Sequence, residues 1–226
     1  MNKFYRGLFL FSRWCACCFI PHYRVCDPAQ SPQPAVYLVH HQNLRGPILS
    51  VAWLRRPFHI WVLGVFCSRS ACYRQYYQYT FTKRFGIPKI LAAPLAYVCS
   101  FCVYALMKGM GAIPVYRGMR SIVNTFRESL SALKDKESLL IAPDVDYTNT
   151  NPSVGEMYSG FLDLEKYYLK ETGKHLAFVP IHIGKSRRII FIGNPICFGA
   201  EHSFKQKKES AYVRIKEEFS RLEKLG

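Results

Sequence analysis

Twice in this chain a short apolar run stops abruptly at a group of polar residues, and that pattern narrows the folds open to it. Residues 35–39 are β-prone and end at His40, His41, Gln42 and Asn43. Residues 138–142 form a second compact run, closed by Pro143 and opening into Asp144, Val145, Asp146 and Tyr147. Polar residues past the carboxyl ends of strands occupy the place where α/β sheets bind ligands. Further strand-like runs fall at 59–66, 111–115, 178–183 and 188–192, with helical spacing between them. Residues 47–54 read as helix. Ile122, Val123, Phe126, Leu130 and Leu133 recur every three to four positions, as do Tyr158, Phe161, Leu162, Tyr168 and Leu169 with Gly173 placed to cap them. Residues 203–225 put Tyr212, Ile215, Phe219 and Leu222 on one face. This alternation predicts an α/β fold, a mixed, largely parallel sheet flanked by helices.

Ahead of that domain, residues 1–26 carry Lys3 and Arg6 and then an apolar run broken by Arg13. No small-residue cleavage site follows, and His22, Tyr23 and Arg24 come next, so the segment reads as a retained N-terminal membrane-associating helix rather than a cleaved signal. Residues 27–34 hold Pro28, Pro32 and Pro34 and read as a linker, leaving 35–226 as the α/β domain. Residues 90–107 are uncharged between Lys89 and Lys108 and contain Pro94; the expectation is a buried or half-submerged hairpin packed on the domain, not a membrane span. Residues 67–89 are basic and tyrosine-rich, and their sequence assigns them no structure.

The formal charge of +16 calls for a polyanionic partner. Fifteen Tyr, sixteen Phe and three Trp beside thirty-one Lys and Arg suit a membrane–water interface. No aromatic RNA-recognition signature, zinc finger or helix-turn-helix pattern accompanies the charge, so a nucleic-acid partner is not expected. Nine Cys without a regular framework support neither disulfides nor a structural metal. His22, His59, His175, His182 and His202 lack metal-like spacing.

Four blocks stand in order: Val39-His40-His41-Gln42-Asn43, Gly111-Ala112-Ile113-Pro114-Val115-Tyr116-Arg117-Gly118, Ile141-Ala142-Pro143-Asp144, and Phe178-Val179-Pro180-Ile181. Over residues 37–196 they resemble the four motifs of the glycerol-phosphate and lysophosphatidic-acid acyltransferases. Gly160 fits the glycine after the third motif, and Gly193-Asn194-Pro195-Ile196 looks like the family's closing Gly-x-Pro-Ile. The resemblance implies a membrane-associated O-acyltransferase at the cytoplasmic face, moving an acyl chain from acyl-CoA or acyl-carrier protein to a glycerolipid hydroxyl such as that of 1-acylglycerol-3-phosphate. No metal or bound cofactor is implied. His41 would be the general base, because His40 fits the position of the family's asparagine. Gln42, Asn43, Arg117, Gly160 and Pro180 would line the substrate site, with Arg117 on the acceptor's phosphate.

The family's first motif places an aspartate five residues after its histidine; here Gly46 stands five after His41, and Arg45 five after His40. The third motif's glutamate-glycine-threonine-arginine is matched by Asp144, Val145, Asp146 and Tyr147, so its arginine is gone. Two readings follow. Asp144 or Asp146 supplies the missing carboxylate from the neighbouring strand end, since geometry rather than chain position defines such a dyad. Alternatively, the site binds a lipid or thioester without turning it over.

Overall fold

The structure is a computed structural model that describes every residue except 1–2, 55, 117–118, 152 and 201–202. The chain divides into two units, residues 16–58 with 129–226 and residues 1–15 with 59–128.

The first of these is built on strands β1 (Arg24–Cys26), β2 (Ala35–Val39), β5 (Ser138–Ile141), β6 (Ala177–Gly184) and β7 (Ile189–Ile192). Their order is β1-β7-β6-β2-β5; every pairing is parallel except β6 with β7. Each residue of β2, β5 and β6 is buried, which is why these strands read as unbroken apolar runs. Helix α2 (Arg45–Trp53) packs on β2 and β6, and α7 (Phe204–Glu223) packs on β6 through Ala211, Ile215, Phe219 and Leu222. Ser203 and Gln206 close a reciprocal capping box at the start of α7. A 3₁₀ turn (Ser159–Asp163) leads into α6 (Leu164–Thr172), which ends on Gly173 in the left-handed conformation, φ 68°. The rings of Phe161, Phe178 and Phe198 pack in series beneath these elements.

The proline-rich segment ahead of β2 is held by ion pairing rather than left slack. The Asp27 carboxylate accepts from the Arg56 guanidinium, the Ser31 hydroxyl and the Ser31 N–H, and Arg56 also donates to the Tyr37 hydroxyl. Strand β1, which immediately precedes it, is three residues long and exposed throughout, so the sequence carries no periodic signal for it.

In the other unit β3 (Phe58–Leu63) pairs in parallel with β4 (Ile113–Val115). After a 3₁₀ turn come α3 (Arg69–Arg74) and a ten-residue π-helix (Gln75–Arg84), then α4 (Lys89–Gly109). Helix α5 (Met119–Lys134) begins after β4; its residues from Ser129 on belong to the first unit, where Leu130 and Leu133 are buried. The expected hairpin over 90–107 is instead one helix of 21 residues. Pro94 sits at its sixth position, where it removes only the bond to the Ile90 carbonyl, and Ile90 is 87% exposed at the helix end, so water can replace that bond. The buried positions of α4 are Ala92, Ala96, Ser100, Ala105 and Gly109, small residues that let neighbouring helices come close. A Cβ at Gly109 would lie 2.3 Å from the Tyr5 carbonyl of α1 (Lys3–Phe19) and 2.5 Å from Phe9 Cβ. Arg69 reaches from α3 over the rings of Tyr97 and Phe101 on α4.

Candidate functional site

Leu38 of β2 pairs with Ile141 of β5, so the two strands run out side by side and their polar extensions emerge at the same edge. The histidine pair and Asp144 meet there. Just past the end of β2 the two adjacent imidazoles have different surroundings. His40 is 3% exposed, and its Nδ1 lies against the Asp144 carboxylate in a short ion pair. Its Nε2 is 2.9 Å from the Asn151 carbonyl. Both ring nitrogens face acceptors, an arrangement satisfied only by the doubly protonated ring. Burial pushes the His40 pKa down, but the hydrogen bond and charge of Asp144, aided by the Asn151 carbonyl, more than offset it and leave the value raised.

His41 is partly exposed. Its N–H donates to the second Asp144 oxygen at 2.8 Å, so one carboxylate holds the side chain of His40 and the backbone of His41. The His41 Nδ1 lies 3.0 Å from the Tyr147 carbonyl, and the Tyr147 ring packs 5.1 Å from the imidazole. The Leu44 N–H points at the same Nδ1 from 3.2 Å, a bond that only a bare Nδ1 could accept; the shorter contact, to the Tyr147 carbonyl, favours the tautomer with its proton on Nδ1. With Nδ1 protonated and donating to the Tyr147 carbonyl, Nε2 carries the free lone pair, and it makes no hydrogen bond among the described residues.

The carboxylate from the third motif therefore meets the histidine pair as a bridge, with its side-chain contact on His40. Asp146 is not brought to either ring. Its carboxylate is exposed and turns back on the Thr148 hydroxyl and N–H at 2.7 and 2.9 Å, and these bonds lower its pKa. Gln42 is buried, and its Oε1 has no partner among the described residues, leaving an acceptor unsatisfied beside the histidines. The Asn43 N–H donates to the Tyr147 carbonyl at 3.2 Å. Pro180 lies buried in β6 opposite Leu38, and its carbonyl accepts from Gly193, while Ile196 bridges to Phe178. These bonds join the fourth motif to the closing Gly-x-Pro-Ile-like segment. Gly160 is exposed with open space where a Cβ would stand. Arg117 lies outside the described residues. His182, also on β6, is buried, and burial first of all lowers its pKa. Among the described residues no group of three or more His, Cys, Asp and Glu side chains is placed to hold a metal ion.

The place of the missing aspartate has closed. A Cβ on Gly46 would sit 1.9 Å from the His40 carbonyl oxygen and 3.0 Å from Val39 Cγ2, so α2 begins in backbone contact with the strand end. Arg45 donates instead to the Tyr23 hydroxyl at 2.9 Å. The tight passage from β2 into α2 forces Gln42, Asn43 and Leu44 all into positive φ, at 44°, 51° and 73°. Asn tolerates that region; leucine does so at a cost of roughly 1–2 kcal/mol. Leu44 is 54% exposed and has little packing to lose. Leu44→Gly is accordingly expected to stabilise the protein by about 0.5–1 kcal/mol, read as a higher urea midpoint at unchanged slope. An unchanged or lower midpoint would speak against strain at this turn.

Tyr147 and Asn151 could not be chosen as partners from residue types, because both act through main-chain carbonyls that any residue supplies. His40 as the partner of Asp144 was equally hidden, since nothing in a linear sequence says which face of a strand end looks toward a neighbouring loop.

No protein-family model matches this chain, and no curated protein matches it in sequence. The fold is similar to that of the 1-acyl-sn-glycerophosphate (LPA) acyltransferase PlsC from Thermotoga maritima, known from a crystal structure. The TM-score is 0.51 at 12% identity, over 97% of this chain and 89% of that one. The chain thus shares the fold of that protein.

Proposed function

We propose that this protein is an O-acyltransferase in which His41 is the general base, oriented by a main-chain carbonyl instead of a carboxylate. The observation that carries the reading is the contact between His41 Nδ1 and the Tyr147 carbonyl, with Nε2 left open. A neutral acceptor fixes ring and tautomer as a carboxylate does, but it gives less stabilisation to the imidazolium that forms. The acceptor hydroxyl loses its proton to Nε2 as its oxygen attacks the thioester carbonyl. Collapse of the tetrahedral adduct breaks the C–S bond, and the same proton passes to the departing sulfur, giving an ester and a free thiol. The His40–Asp144 pair holds the strand end and the His41 N–H in place.

A lipid acceptor is supported by α4. The helix is long and apolar enough to cross a membrane, yet only 22% of its most apolar stretch is buried. Its small residues face inward while Leu91, Tyr97 and Val98 face out, the reverse of a soluble helix. Residues 1–15 and 59–128 also carry twelve Lys and Arg against one acid, Glu128, or +11 of the formal +16. We place the protein on this basis at an anionic membrane surface, with acyl-CoA or acyl-carrier protein as donor and a glycerolipid such as 1-acylglycerol-3-phosphate as acceptor.

The test is thiol release from each donor with a panel of lysophospholipid and glycolipid acceptors. His41→Ala should lower kcat by about 10²–10⁴, the usual contribution of a positioned acid–base group. Turnover unaffected by that change would sink the assignment. No turnover with any pair in a folded, lipid-binding protein would instead support a lipid- or thioester-binding relative without catalysis.

A further inference from the structure

The unit formed by residues 1–15 and 59–128 contains an open cavity of about 430 Å³, within the size range of organic-ligand pockets. Val65 and Ala71 give it an apolar floor; Arg74, Gln75, Gln78, Tyr79 and Lys83 form a polar wall. The wall is a product of the π-helix. Arg74 and Lys83 are nine residues apart, about two and a half turns of α-helix, which would point them to opposite sides. Winding with i→i+5 bonds takes more than four residues per turn, so nine residues come to about two turns and return Lys83 to the side of Arg74, the residue that caps the start of the π-helix. That winding is evident in the Phe85 N–H donating to the Thr80 carbonyl at 3.1 Å and in the stacked rings of Tyr76 and Phe81.

Neither Arg74 nor Lys83 has an ion-pair or hydrogen-bond partner for its side chain among the described residues. The unit's sequence has almost no acid to offer them. A guanidinium, an ammonium, two amides and a phenol on one wall are all hydrogen-bond donors, a set matched to a phosphate ester. The cavity exceeds the needs of a bare phosphate, and its apolar floor would receive the carbon chain to which the phosphate is joined.

We propose that this cavity binds the phosphate ester of an organic ligand, with Arg74 and Lys83 as the principal contacts. The ligand source is either an anionic phospholipid headgroup or the phosphate-bearing end of a soluble thioester carrier. The proposal does not depend on His41 being a base. It is tested on the full chain by calorimetric titration with coenzyme A and inorganic phosphate, and by co-sedimentation with phosphatidylglycerol or phosphatidylcholine vesicles. Wild type is compared with R74Q/K83Q and with K89Q/K108Q, which removes the same charge from the same unit away from the cavity. Circular dichroism checks that each variant is folded.

The expected result is that R74Q/K83Q weakens coenzyme A or phosphatidylglycerol binding by about tenfold or more, while K89Q/K108Q weakens it less than about threefold. Whichever ligand responds identifies the source. Equal losses in the two variants would mean diffuse charge attraction and overturn the proposal. So would the absence of any loss in R74Q/K83Q, or a wild type that binds inorganic phosphate alone or none of these ligands.

Discussion

Asp144→Ala is expected to destabilise this protein by about 3–5 kcal/mol, because it strands a buried imidazolium without its counter-ion. His40 and Asp144 are each 3% exposed in their side chains, so water cannot take over. Asp144→Asn should cost far less, for a reason particular to this geometry. The Asn carbonyl can accept the His41 N–H while its amide donates to His40 Nδ1, and a neutral His40 still donates from Nε2 to the Asn151 carbonyl.

The two proteins should then respond to pH in opposite senses. In the wild type the folded-state pKa of His40 is raised, so the stabilisation from its charge is fully present below the unfolded value of about 6.5 and is lost as pH climbs through the folded value. In the Asn variant His40 is buried and neutral; its folded pKa falls below the unfolded one, and stability is lost on acidification instead. Urea midpoints from about pH 5.5 to about pH 8.5 should show the gap between the two proteins widest at the acid end. A gap independent of pH would mean His40 does not carry the charge.

Gly46→Asp introduces the histidine–aspartate spacing of the acyltransferase motif that the sequence resembles, and it should damage this protein rather than improve it. The new Cβ would be 1.9 Å from a main-chain oxygen, which cannot rotate aside as a side chain would. Either the strand end or the start of α2 must move, at about 3 kcal/mol or more. Gly46→Ala should lose nearly as much, which attributes the cost to volume and not to charge. Faster thiol release by the Asp variant at undiminished stability would show that the close approach at Gly46 has been misjudged.

What was legible in the sequence follows from which interactions leave a periodic trace. Strands β2, β5 and β6 are covered on both faces and announce themselves as apolar runs, and α7 displays its cap and its stripe. The π-helix was invisible because its spacing matches neither the helical nor the strand template, and its tyrosines are spread over a winding that the sequence does not declare. In α4 the hairpin reading rested on Pro94 as a break, but at the sixth position of the helix that proline leaves the winding intact. At the site, the residue types and their order were readable, whereas which imidazole meets the Asp144 carboxylate was set by the path of the loop from Asp144 to Asn151.

The crossing at Gly109 bears on how the protein can be handled. Deleting the amino-terminal helix would be one route to a smaller fragment. Here Tyr5 and Phe9 lie directly over a glycine, main chain against main chain, and their removal would uncover an apolar groove on a helix that already shows its large side chains outward. A shortened version would therefore be stickier than its parent, and detergent or lipid added to the intact chain is the better route to a monodisperse preparation.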